Sequence, residues 1–199
     1  MPINHMSHTE STDTIKMLGT SVHASHASTY SPVSLAILVE AVHTQLNVLA
    51  QQLLVISDST YTDFTLDQCF GSSIGSHVRH ILDHVCNLAH PGAVIDYEAR
   101  YRGDAIETAR ERALQRIAEL QTSMRTLSNH GEASVRISAI PAPGLAPLTL
   151  TSTLERECLY VIDHTVHHLA MIRTLLARAG HVCPSTLGLA AGTPTPCAR

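Results

Sequence analysis

Four segments of this chain carry apolar residues at intervals of three and four, the spacing that aligns side chains on one face of an α-helix. They are residues 32–56, 74–88, 106–127 and 154–176. In the first segment, the residues expected to face the core are Val33, Ile37, Leu38, Val42, Leu49, Leu53 and Leu54. A helix with one apolar face must bury it against another element, so the pattern predicts an all-α fold, a four-helix bundle.

Polar residues at the segment boundaries predict where each helix begins. The expected starts are Ser31 before Pro32, Ser73 as an N-cap, Asp104 with Glu107 as a capping box, and Ser152 with Glu155 as a second capping box. Residues 71–75, GSSIG, also match the G-x-S-x-G pattern of hydrolase nucleophiles. That motif requires a preceding strand on a parallel sheet, and neither is predicted here, so Ser73 is assigned to the helix N-cap.

The remaining segments divide the chain into three regions. Residues 1–31 are rich in Ser, Thr and His without periodicity, which predicts a disordered tail. Residues 32–180 form the predicted bundle, with a short irregular hairpin over 132–150 before the last helix. Residues 181–199 are predicted to be a C-terminal coil.

Composition limits the function classes. The formal net charge is −4, so a nucleic-acid partner is not expected. No run reaches the roughly 20 apolar residues that span a bilayer, so no membrane partner is expected. The start of the chain resembles neither a signal peptide nor a transit peptide. The five cysteines show no CxxC spacing, which favours reduced thiols and a cytoplasmic location.

Six of the chain's fourteen histidines lie on two of the predicted helices. They are His77, His80 and His84 on the second helix, and His164, His167 and His168 on the fourth. On a helical wheel the first three fall together beside the apolar stripe. His164 and His168 lie one turn apart at the flank of their own stripe, whereas His167 points further outward.

Such a concentration of imidazoles indicates a metal site. Burying several unpartnered rings would cost roughly a few kcal/mol each, whereas imidazole is a common ligand for zinc, nickel and iron. Three imidazoles plus water make an open catalytic site. Cys86 falls away from the histidine edge and Cys158 belongs to the apolar stripe, so neither is expected to be a ligand.

The strings RHILDH and HTVHHLAMI, far apart in the chain, resemble the pattern of the DinB/YfiT-like putative metalloenzyme superfamily. That pattern has one histidine on the second helix and an HxxxH on the fourth, and the resemblance covers most of residues 32–180. It implies an up-down-down-up four-helix bundle. It also implies a divalent metal held by His80, His164 and His168.

Two further residues are candidates for catalytic roles. His84 lies one turn beyond His80, and both it and His77 are candidates for a fourth ligand, a proton relay or a support for the ligands. Glu157 lies two turns before His164 on nearly the same line of the helix. It is a candidate for a base or an orienting group, and the alternative is a charge facing solvent near the helix start.

The resemblance implies an enzyme acting on a small-molecule substrate, either a metal-dependent hydrolase or a transferase of a low-molecular-weight thiol such as bacillithiol, mycothiol or glutathione. A hydrolase would use His84 or Glu157 as its base. A thiol transferase would use Arg100 and Arg102 as candidates for binding the anionic groups of the thiol. The alternative is a non-catalytic metal-binding or stress-responsive bundle with a closed coordination sphere, and a homodimer is compatible with each function.

Overall fold

We describe a computed structural model of the protein, covering residues 32–100, 104–127 and 134–194. The predicted disordered tail, residues 1–31, lies outside the described residues, as does Arg102. Among the described residues, no helix combines the length and the apolar character needed to cross a bilayer.

The described chain is mostly helical, with a small three-stranded sheet. The helices are α1 (Pro32–Leu54), α2 (Asp58–Thr62), α3 (Ile74–Ala89), α4 (Arg110–Leu127) and α5 (Leu154–Arg178). Two 3₁₀ turns, Phe64–Leu66 and Ala105–Glu107, lie in the connections. Both α1 and α3 pack against both α4 and α5, so the four long helices enclose one apolar core.

The apolar stripes predicted for the second, third and fourth segments face this core. Along α3 the buried residues include Ile74, Val78, Ile81, Leu82, Val85 and Leu88. The stripe predicted for α1 is partly wrong. Ile37 and Leu54 are 63% and 65% exposed, and the buried stripe is instead Leu35, Val39, Val42, Leu46, Leu49 and Leu53. Both sets are helical in spacing, but only the second alternates steps of four and three without a break.

The start of α3 agrees with the sequence. Ser73 accepts a hydrogen bond from the Ser76 backbone N–H at 3.1 Å, and the Ser76 hydroxyl faces back toward the Ser73 N–H. This reciprocal cap satisfies two amide groups that the first turn would otherwise leave unpaired. Ser73 is therefore a structural residue at a helix start, and its side chain is buried.

The predicted capping box of Asp104 and Glu107 is wrong. Asp104 makes no side-chain cap and instead accepts two hydrogen bonds from Arg112, at 3.0 and 2.9 Å. Glu107 accepts hydrogen bonds from Ser76 at 2.8 Å and from Arg79 at 2.7 Å. Because both carboxylates bind side chains beyond their own turn, this segment forms a 3₁₀ turn and α4 begins only at Arg110.

The second predicted capping box is also wrong, by one residue. Thr153 is the N-cap of α5, and its hydroxyl accepts from the Arg156 backbone N–H at 3.3 Å. Ser152 instead donates its hydroxyl hydrogen to Glu157 at 2.5 Å. The Glu157 side chain is buried, and its carboxylate accepts the hydrogen bond of the Ser152 hydroxyl. Ser152 therefore does not cap the helix.

The sheet adds one strand to the predicted hairpin. Strand β1 (Ile95–Asp96) pairs in parallel with β2 (Ser134–Ala139), which pairs antiparallel with β3 (Leu148–Thr153). Strand β3 runs directly into α5, and β1 holds the crossover between α3 and α4 against the sheet. The all-α expectation is therefore incomplete, and the extra strand brings the crossover beside the start of α5.

The C-terminal segment is irregular, as predicted, but it is packed against the helices. Among residues 181–194 no helix or strand is present, yet Leu187 is buried. Arg173 donates hydrogen bonds to the carbonyl oxygens of Ser185 at 3.0 Å and Leu187 at 3.4 Å. Gly188, with φ of 71°, lies so close to the backbone of Ala170 that a Cβ there would overlap it.

Candidate metal centre

The packing of α3 against α5 brings five of the predicted histidines into one continuous row. His77 and His84 are buried, and His80, His164 and His168 are half-buried. His167 is exposed, in agreement with its position on the wheel. Helical periodicity therefore distinguished the exposed histidine of α5 from the two at the core edge, because each position of a helix has a fixed direction relative to its buried stripe.

Three imidazoles are close enough to share one cation. One ring nitrogen from each of His80, His84 and His164 lies within 4.8 Å of the other two. The ring centroids of His84 and His164 are 4.0 Å apart with nearly parallel planes, and the His80 ring lies 4.5 Å from His84 and 4.9 Å from His164. The structure therefore places His84, which the sequence made a candidate for a fourth ligand or for a base, within the group of possible ligands.

His168 lies on the other side of the same group. Its ring centroid is 4.7 Å from that of His80 and 4.6 Å from that of His164, but its nitrogens lie outside the group of three that is close enough to share one cation. Nδ1 of His168 is 3.1 Å from Nδ1 of His77, and the two atoms share a hydrogen bond. The other ring nitrogen of His168, Nε2, is therefore the one that could bind a metal. His80 and His164 belong both to the predicted set and to this group, and the third member of the group is His84, whereas the predicted third ligand is His168.

Burial keeps these imidazoles neutral. Loss of hydration, followed by the neighbouring imidazoles, lowers the pKa of His80 to about 4 and those of His164 and His168 to about 3. Burial also lowers the pKa of His77 and of His84. A neutral imidazole has the lone pair that a metal requires, so near pH 7 the site has several available donors.

Hydrogen bonding supports the same interpretation. The Nδ1–H of His84 donates to the carbonyl oxygen of His80 at 3.1 Å, which fixes the tautomer and leaves Nε2 free to bind. Nε2 of His164 is buried and has no hydrogen-bond partner among the described residues. Buried polar atoms are rarely left unsatisfied, and a divalent cation fits this atom and its neutral nitrogen neighbours.

Two tyrosines that were not predicted from the sequence as site residues line one side of the imidazoles. Tyr97 stacks on His84 with centroids 5.2 Å apart, and Tyr160 lies 4.9 Å from Tyr97 and 5.8 Å from His164. Tyr160 could have been found from the sequence, because it lies four residues before His164 on one helix. Tyr97 could not have been found in this way, because its position beside the imidazoles depends on the pairing of β1 with β2.

Glu157 is fully buried, so the alternative of a solvent-facing charge is wrong. One carboxylate oxygen accepts from Ser152, while Oε2 has no hydrogen-bond partner among the described residues. The Tyr97 hydroxyl faces this carboxylate, and burial together with the carboxylate raises its pKa well above the usual range. Tyr97 therefore lies between Glu157 and the ring of His84. The role of Glu157 as a base stays a prediction.

The other residues weighed from the sequence lie around or away from the centre. Arg100 is exposed, and its charge is among those that lower the pKa of His80, after burial and His84. Cys86 is buried near Arg116, whose guanidinium donates to its sulfur at 2.9 Å. Burial raises the pKa of Cys158 to about 12, consistent with a packing role.

Comparisons of the chain with protein families, with curated proteins and with solved structures found no match. The resemblance to the DinB/YfiT-like superfamily therefore depends on the motifs quoted above.

Proposed function

We propose that the chain binds one divalent cation, zinc, nickel or iron, and is a metal-dependent enzyme with the up-down-down-up bundle of the DinB/YfiT-like superfamily. His80 and His164 would hold the cation, with His84 or His168 as the third ligand. One observation carries the proposal. Nε2 of His164 is buried without a partner among the described residues, in the middle of neutral imidazoles from two helices.

Metal-dependent hydrolysis is the leading reaction class. A divalent cation held by three imidazoles lowers the pKa of a water or thiol toward neutrality and so supplies a nucleophile. Because imidazole ligands are neutral, they would leave the full positive charge of the cation to act on the bound water or thiol. Tyr97 and Tyr160 cover one side of the group and restrict water there, and Glu157, behind Tyr97, is positioned to orient that hydroxyl.

Thiol transfer is the second candidate, and Arg100 favours it. Its guanidinium is exposed and close enough to His80 to influence the charge on that ring. It makes no hydrogen bond or ion pair with any other residue in the described ranges. An exposed arginine beside a metal centre suits the carboxylate of a low-molecular-weight thiol.

A non-catalytic site is the alternative from another class. The rings of His84 and His168 each contact those of His80 and His164. A shift of the His168 ring toward the three grouped nitrogens would give four imidazole ligands in a closed tetrahedral sphere. Cobalt(II) substitution distinguishes the two cases, because an open site changes its visible spectrum when azide is added and a closed four-histidine site does not.

Metal analysis of protein purified without added metal tests the proposed site. Wild type should carry close to one divalent ion per chain, and His164→Ala should lose it. His167→Ala, an exposed histidine on the same helix, is the matched control and should keep it. Metal-free wild type, or full occupancy in His164→Ala, would refute the site.

Screens for ester hydrolysis and for thiol conjugation then separate the two reactions. In a hydrolase, Glu157→Gln should lower kcat while leaving the metal content unchanged. In a thiol transferase, Arg100→Gln should raise KM for the thiol with little change in kcat. Unchanged turnover in Glu157→Gln removes the role of that carboxylate.

A further inference from the structure

A cavity of about 160 Å³ lies beyond the His77 end of the histidine row, between the loop that precedes α3 and the last turns of α5. Its main lining residues are Leu66, Phe70, His77, Met171, Leu175 and Arg178. Most of this surface is apolar. An apolar cavity of roughly 150 Å³ accommodates one benzene ring, so the volume suits one aryl or branched alkyl group.

The two charged side chains that line the cavity, Asp67 and Arg178, differ in whether they are already satisfied. Asp67 is the acidic lining residue, and its oxygens accept hydrogen bonds from the backbone N–H groups of Cys69 and Phe70 at 3.0 Å and of Ser72 at 3.1 Å. These bonds satisfy the carboxylate locally and lower its pKa. Arg178, by contrast, makes no hydrogen bond or ion pair within the described part of the chain. Its guanidinium is the charge left available to a ligand.

The rim of the cavity is also apolar. Phe70 is 76% exposed, an unusual position for so large a side chain beside an apolar cavity. The turn that presents it is fixed by the bonds to Asp67 and by Gly71, which has φ of 65°. A ligand in the cavity would cover part of the Phe70 ring, and removing that apolar surface from water would favour binding.

We propose that this cavity binds a small monoanion carrying one aryl or branched alkyl group. The apolar group would lie among Leu66, Met171 and Leu175, and the anionic group would pair with Arg178. This site goes beyond the proposed function, because it requires neither the metal nor the metal ligands. Its occupant would nevertheless contact His77, whose Nδ1 bonds to His168, so a substrate or an effector of the metal centre would fit here.

The test uses the metal-free full chain and three probes, with binding followed by NMR of the methyl groups of Met171 and Leu175. Phenylacetate should bind and shift both signals. Phenylacetamide, its neutral isostere, should bind roughly tenfold or more weakly, because its amide oxygen accepts from the guanidinium without the negative charge of a carboxylate. Acetate, which lacks the ring, should give no saturable shift. Equal affinity for phenylacetate and phenylacetamide would refute the role of charge.

Variants locate the site. Arg178→Gln should weaken phenylacetate binding to about the level of phenylacetamide, and Met171→Trp should abolish it by filling the cavity. Arg136→Gln, an exposed arginine on β2, is the charge-matched control and should bind normally. Each variant must keep the wild-type circular dichroism. Wild-type affinity in Arg178→Gln overturns the proposal, whereas a chain that binds phenylacetate but no metal overturns only the proposed function.

Discussion

Gly75 shows how a single residue fixes the distance between two parts of this fold. It lies in the first turn of α3, where a Cβ would overlap the backbone carbonyl of Glu107 and the ring of Tyr61. The Tyr61 hydroxyl donates to the carbonyl oxygen of Ile106 at 2.6 Å, so the turn cannot easily move away. The absent side chain therefore lets the 105–107 turn pack directly on the helix.

We predict that Gly75→Ala destabilises the fold although alanine is the better helix former. The added methyl group forces the helix and the turn apart, and overpacking of this kind costs about 1–3 kcal/mol. Urea unfolding measures the change. Gly92→Ala, where the added Cβ would meet only the carbonyl oxygen of Val94 at an ordinary contact distance of 3.8 Å, is the control and should be nearly neutral. An unchanged midpoint in Gly75→Ala would contradict the close packing.

At the scale of one element, α1 shows the limit of periodicity. Two overlapping sets of apolar residues along it have helical spacing, and the set predicted from the sequence includes Leu54. The structure buries the set that includes Leu46, because α1 packs between α4 and α5 and must cover both. Which set faces inward depends on where the neighbouring helices lie.

We predict that Leu46→Ala and Leu54→Ala differ sharply although their chemistry is identical. Leu46 is fully buried, so its truncation leaves a cavity and should lower the free energy of unfolding by about 2–5 kcal/mol. Leu54 is 65% exposed, so its truncation should change that energy by roughly 0.5 kcal/mol or less. Thermal or urea unfolding measures both losses, and equal losses would contradict this orientation of α1.

For the molecule as a whole, the buried imidazoles predict that acid weakens the metal-free fold. Six described histidines have a pKa below the usual 6.5, with burial as the first cause; they are His43, His77, His80, His84, His164 and His168. As the pH falls through 6.5, the unfolded chain binds protons that the folded chain still excludes. Stability is therefore present above pH 6.5 and is lost toward pH 4 to 3.

Unfolding midpoints of metal-free protein between pH 7.5 and 5 should fall steadily, above the range in which carboxylates ordinarily titrate. His43→Gln removes a buried imidazole that lies away from the metal centre, between α1 and α4, and should reduce the slope. A midpoint independent of pH would mean that these rings are hydrated in the folded chain.

The sequence by itself determined the helical segments, the start of α3 at Ser73, and the row of imidazoles on the core edge of α3 and α5. These follow from local rules, because the directions of neighbouring side chains on a helix are fixed within a few turns of the chain. Apolar residues at intervals of three and four, and a serine before a helix, can be recognised without knowing which residues they contact elsewhere in the chain.

Only the tertiary structure decided which atoms meet across the helices. It brought His84 beside His164, stacked Tyr97 on His84, buried Glu157 with Ser152 and placed Glu107 against Arg79. Each of these contacts joins different elements or depends on how they are packed together. Their distances depend on the angles and offsets at which the helices and the sheet pack, and no local pattern in the chain encodes those.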